Sequence, residues 1–99
     1  MIRHIVMFTV DGQTQDEKNQ QILEAATRLE GLVGVVPGLR VMNVYANAID
    51  VPGNFDFTLV ADFEDEELLR GYVTHPAHVE VAEYIGTIRT SRAAIDFDI

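Results

Sequence analysis

The sequence predicts an α+β fold with the ferredoxin-like βαββαβ (split βαβ) order: a four-stranded antiparallel sheet with its helices on one face. Three observations lead there. The patterned segments run strand, helix, strand, strand, helix pair, strand. The 99 residues, 47% hydrophobic with only three prolines, suit one domain spanning 1–99. The first strand is apolar on both faces and so needs cover on each side. Right-handed crossovers then place strands one and three at the centre of the sheet.

The first strand is Ile2 to Val10, rich in β-branched and aromatic side chains. Period-2 reading puts His4, Val6, Phe8 and Val10 on one face and Arg3, Ile5, Met7 and Thr9 on the other. Thr14 and Glu17 form a T-x-x-E capping box, so a helix starts there. Ile22, Ala25, Ala26, Leu29, Leu32, Val33 and Val36 recur at three- and four-residue spacing. Gly31, Gly34 and Pro37-Gly38 predict its end near Val33. A second strand is expected over Leu39–Ala46, with Leu39, Val41 and Tyr45 on one face and Met42, Val44 and Ala46 on the other.

Asn47 to Asn54, with Asp50, Pro52 and Gly53, reads as a hairpin loop to a third strand at Phe55–Phe63. The acidic run Glu64-Asp65-Glu66-Glu67 suits the positive end of a helix reaching about Val73. His75-Pro76 breaks that helix and begins another, because the residue before proline leaves the α region and proline fits a first helical turn. Val79, Ala82 and Ile85 form the expected stripe of this piece, with Val81 and Tyr84 beside it, and it should fade near Gly86. The last strand is expected over Ser91–Ile99, at a sheet edge, with its charges outward. The helix-free face stays apolar and bare, and a second copy of the same sheet is the economical cover.

Charge and composition exclude several function classes. Sixteen Asp and Glu against seven Lys and Arg, a formal charge of −9, repel nucleic-acid phosphates and anionic lipid. No apolar run approaches the roughly 20 residues that span a bilayer. With no cysteine, disulfides, thiolate metal sites and a cysteine nucleophile are out. A soluble cytoplasmic protein without nucleic-acid or membrane partners is expected.

The chemistry-bearing residues are few. His75-Pro76-Ala77-His78 is the one histidine cluster, but proline holds His75 at or before the helix start, so the pair lacks the spacing and the third ligand of a metal site. His4 lies on the face of Val6 and Phe8. Tyr72 follows the helical stripe of Leu68 and Leu69, and His78 stands in the first turn of the next helix. All three are expected to meet in one cavity between sheet and helices, where the field of the helix start keeps His78 neutral, as a general base must be.

His4-Ile5-Val6-Met7-Phe8, the segment Tyr72-Val73-Thr74-His75-Pro76-Ala77-His78-Val79, Pro37-Gly38 and the final Ile95-Asp96-Phe97 resemble the stress-responsive A/B barrel (Dabb) family of the dimeric α+β barrel superfamily, over almost the whole chain. The resemblance implies a homodimer built through the sheet faces. By likeness to members of the olivetolic acid cyclase type it also implies a polyketide-cyclase-like site, with His78 as general base, Tyr72 orienting it or the substrate, and His4 on the first strand. Val6, Phe8, Ile22, Leu23, Ala26 and Val73 would line the cavity, and no cofactor or metal is implied. The chain departs from the common pattern at Thr9-Val10-Asp11, where a lysine is usual. Three functions fit: a cofactor-free cyclase, isomerase or lyase moving protons on a small carbonyl or polyketide-like substrate; a non-catalytic stress-responsive module holding a small apolar ligand; and oxidative chemistry like that of the cofactor-free monooxygenases that share the dimeric barrel.

Overall fold

A computed structural model describes residues 1–99. The elements are β1 (Ile2–Val10), α1 (Gln15–Glu30), β2 (Leu39–Ala46), β3 (Phe57–Phe63), α2 (Glu66–Thr74), α3 (Pro76–Ile88) and β4 (Arg89–Asp98). They form one antiparallel sheet in the order β2-β3-β1-β4, the ferredoxin-like topology, with β1 and β3 central. Val6, Phe8 and Val10 of β1 turn to the helix side and pack with Ile22, Ala25 and Leu29 of α1, Leu69 and Tyr72 of α2, and Val81, Ile85 and Ile88 of α3.

Local chemistry sets most boundaries. Thr14 accepts from the Glu17 amide while the Glu17 carboxylate accepts from the Thr14 amide, and α1 begins at the next residue. It ends at Glu30, short of the expected Val33, because Gly31 ends the regular turns and Gly34 takes a left-handed φ of 86°. Leu32 and Val36 still reach the core from the loop. Gly38 is required twice over: its φ is +80°, and a Cβ there would lie 2.6 Å from Leu68.

Four expectations are corrected. The pairing of β2 slips between Leu39 and Val41, so Leu39 and Met42 both enter the core and Val41 and Tyr45 face away from the helices. The third strand starts at Phe57, since Asp56 is drawn aside to accept from the Val10 amide at 2.8 Å and to meet Lys18 at 3.3 Å. The last helix runs past Gly86 to Ile88, whose carbonyl accepts from the Asp11 amide at 2.9 Å, and β4 follows at once at Arg89. Its buried stripe is Val81, Ile85 and Ile88, whereas Val79 is exposed.

The helix-free face carries Ile5 and Met7 of β1, Val41 and Tyr45 of β2, and Ile95 and Phe97 of β4. All but the half-buried Ile5 are exposed. Arg3 and Asp62 pair across β1 and β3 on this face, at 2.8 and 3.0 Å. The two-pronged bond accounts for a carboxylate held below its ordinary pKa in an otherwise apolar setting.

Candidate functional site

Strand parity and one helix break build the site. His4 points from the middle of the sheet toward the helices, in register with Asp96 of β4. Its Nδ1 lies 2.5 Å from the Asp96 carboxylate, which fixes the ring. The last turn of α2 carries Tyr72, 2% exposed, with its ring 4.9 Å from Phe63 and 6.2 Å from His4. Asp65 caps the start of α2 by accepting from the Leu68 amide, so this turn is held at both ends of the helix.

His75 ends α2 and caps α3: its Nδ1 accepts from the Ala77 amide at 3.1 Å. Its ring sits with Val36, Pro37 and Leu68, outside the histidine cavity. One turn into α3, His78 lies against Tyr72 with ring centroids 4.0 Å apart. Its Nδ1 is 3.2 Å from the Val73 carbonyl, an acceptor, so the proton is assigned to Nδ1 and Nε2 keeps its lone pair.

These side chains share a cavity of about 190 Å³, which His4, Val6, Phe8, Tyr72 and His78 line together with Leu29, Leu59, Ala82, Ile85, Arg89 and Arg92. Burial is the main reason that His78 titrates below the ordinary histidine value. The Val73 bond opposes the shift, and charge on His4, Arg92 and His75 adds to it. Burial also holds the Tyr72 phenol protonated, far above its ordinary range.

The sequence-based lining is only partly matched. Val6 and Phe8 are in the wall, but Leu23 is 69% exposed on the outside of α1, and neither Ile22, buried in the core, nor half-buried Ala26 reaches the cavity. The register of α1 presents Leu29 instead. Val73 opens on an adjoining cleft of about 470 Å³ that shares His4 and Arg92. Asp96 was expected to point outward, and its carboxylate bonds His4 instead. Arg89 lies outside the expected last strand, Ser91–Ile99, and the direction of Arg92 and Asp96 depends on the register of β4 against β1, which no local pattern announces. No group of three or more His, Asp or Glu is arranged to hold a metal ion.

A further concavity of about 320 Å³ lies on the helix-free face, lined by Met7, Tyr45, Phe55 and Thr58 among others. It contains no histidine or carboxylate.

Residues 2–99 match the model of the family described as the Stress responsive A/B Barrel Domain. An uncharacterized protein of Streptomyces coelicolor, SCO4036, is 34% identical over 79 residues, 79% of each chain. A dimeric protein of unknown function with a ferredoxin-like fold from Bacteroides fragilis superposes with a TM-score of 0.86 at 25% identity, covering 99% of this chain and 95% of that one. A hydroxynitrile lyase from Passiflora edulis shares the fold at 16% identity, with a TM-score of 0.77 over 99% of this chain and 92% of its own.

Proposed function

The chain belongs to the stress-responsive A/B barrel domain family, and from that premise we propose that it is a small cofactor-free enzyme that moves protons on a carbonyl compound. The observation that carries this reading is His78: a neutral imidazole with Nδ1 tied to a main-chain carbonyl and Nε2 free, at a cavity shared with a phenol kept protonated. A base and a hydrogen-bond donor on one apolar wall are what enolisation needs. His78 Nε2 takes the proton next to the carbonyl, and the electron pair of that C–H bond moves onto the carbonyl oxygen. Tyr72 O–H donates to the developing enolate, while His4, whose Nδ1–H is taken by Asp96, forms part of the wall beside it. Return of the proton at another atom gives isomerisation, while attack of the enolate carbon on a second carbonyl, or loss of a β-substituent, gives cyclisation or lysis.

The cavity, at about 190 Å³, lies below the roughly 300–1,000 Å³ of sites for drug-sized ligands, which favours a small substrate over a long polyketide. We further propose a homodimer through the helix-free sheet face, supported by its exposed Met7, Tyr45, Ile95 and Phe97 and by the dimeric relative from Bacteroides fragilis.

Deuterium exchange at the carbon next to the carbonyl, followed by NMR over a panel of small ketones and β-keto compounds, tests the reaction. Exchange should be catalysed by the protein and fall 10²- to 10⁴-fold, roughly, in His78→Ala, with folding preserved. If no compound exchanges and His78→Ala lowers the melting temperature like a core truncation, the histidine is a structural element of the helix start, and the non-catalytic binding module is the correct reading.

A further inference from the structure

Five of the seven cationic side chains are neutralised within the chain: Arg3 by Asp62, Lys18 by Asp56, Arg28 by Glu24, Arg40 by Glu64 and Arg70 by Glu66. The other two are Arg89 and Arg92. Neither has a carboxylate within ion-pair distance, although the chain holds sixteen acidic residues, and both line the histidine cavity.

Their shared direction has a specific backbone cause. In a regular strand, residues 89 and 92 point to opposite faces. The β1–β4 register slips between Thr9 and Val10: Thr9 pairs with Ser91 but Val10 pairs with Arg89, leaving Thr90 extra. Thr90 and Ser91 therefore both turn to the helix-free side, where both hydroxyls bond Thr9. Arg92, in register with Phe8, and Arg89, in register with Val10, both turn to the helix side. A bulge next to a cavity re-aims a side chain in this manner. The result is two unpaired guanidiniums on one wall of the cavity, in a molecule whose net charge of −9 otherwise repels anions.

We propose that Arg89 and Arg92 are a carboxylate clamp, and that the ligand of this cavity is a small carbonyl compound bearing a carboxylate, such as a keto acid. The assignment rests on the reading of the cavity as the reaction site. Guanidinium matches carboxylate with parallel N–H bonds, and the apolar wall of Val6, Phe8, Leu29 and Leu59 takes the body of the ligand. Anchoring the acid at the β4 wall leaves the carbonyl facing the Tyr72–His78 pair across the cavity. Asp96, which shares the adjoining cleft with Arg92, is engaged by His4.

The test is a binding measurement on the full chain with two probes of one shape, benzoate and benzamide, followed by the His78 and arginine side-chain NMR signals. Benzoate should bind about tenfold or more tightly than benzamide, with the preference shrinking as salt is added. The double variant Arg89→Gln/Arg92→Gln, which changes only exposed side chains, should bind both alike. Equal affinities in the parent protein, no benzoate binding at millimolar concentration, or a preference that survives the double variant each overturn the clamp. Coenzyme A displacing benzoate with higher affinity through the same two arginines also overturns it, because the charge recognised is then a carrier phosphate. Binding is read without turnover, so failure of proton exchange leaves this result interpretable, and failure of the clamp leaves the exchange assay intact.

Discussion

Placing a charge at Ile95 should separate the dimer while sparing the protomer. Ile95 is 60% exposed on β4, opposite Ile5 on the helix-free face, so Ile95→Glu meets water in the isolated chain. Its cost to the protomer is limited to β-propensity, up to about 1 kcal/mol. In the dimer the balance reverses. Complete burial of an isoleucine contributes roughly 1.5–3 kcal/mol, and the exposed share here leaves about 1–2 kcal/mol per copy for the interface. A twofold axis doubles the loss, and two carboxylates transferred toward an apolar contact add at least as much again. The sum is at least about 4 kcal/mol, roughly a thousandfold in the dissociation constant. Sedimentation equilibrium or light scattering across micromolar concentrations should give twice 11.0 kDa for the parent and 11.0 kDa for the variant, with equal far-ultraviolet dichroism. A parent that is monomeric at tens of micromolar, or a variant that dimerises with unchanged affinity, refutes the assignment of this face.

The remaining predictions concern the site and one turn. His78 titrates below its unfolded value of about 6.5, so above that pH both states are neutral and the group adds no pH dependence. As pH falls below it, the unfolded chain takes up the proton first. Stability should therefore drop on acidification from about pH 6.5, and this component should vanish in His78→Ala, as chemical denaturation at stepped pH can check. Exchange activity should fall over the lower range in which the folded imidazole itself protonates. Tyr72→Phe keeps the ring packing on Phe63 and His78, so it should reduce activity by less than His78→Ala and leave the melting temperature within a few degrees. Gly38→Ala meets both a left-handed φ and Leu68 at 2.6 Å, and should cost more than about 1 kcal/mol in urea denaturation without altering the site.

Legibility from sequence followed the range of the interactions involved. The capping box at Thr14 and Glu17 and the His75-Pro76 break act within a few residues, so their positions could be read directly. The parity of β1 was equally readable, and it predicts the convergence of His4 with Tyr72 and His78. The pairing of His4 with Asp96 joins residues at opposite ends of the chain, and no local pattern announces it. The slips in β2 and β4 likewise depend on how a strand meets its neighbour, which explains why Val41 and Leu39 part company and why Arg89 and Arg92 share a face. Helical periodicity marks an apolar stripe on α1 but leaves its rotation over the sheet free by one residue, the difference between Leu23 and Ile22.

The same geometry explains why the histidine motif alone cannot decide between an enzyme and a binding module. Tyr72 belongs at once to the core, through Phe63, and to the cavity, through His78, so a large truncation there removes packing and chemistry together. Arg89 and Arg92 have no such double role. They are exposed, bond no carboxylate, and are aimed by the bulge at Thr90. A backbone irregularity that turns two cations toward the same small cavity is hard to account for by stability, since apposed like charges weaken a fold. It is readily accounted for by an anionic ligand that binds between them, and this is why the arginines, and not the more conspicuous histidines, are where substrate chemistry can be separated from folding.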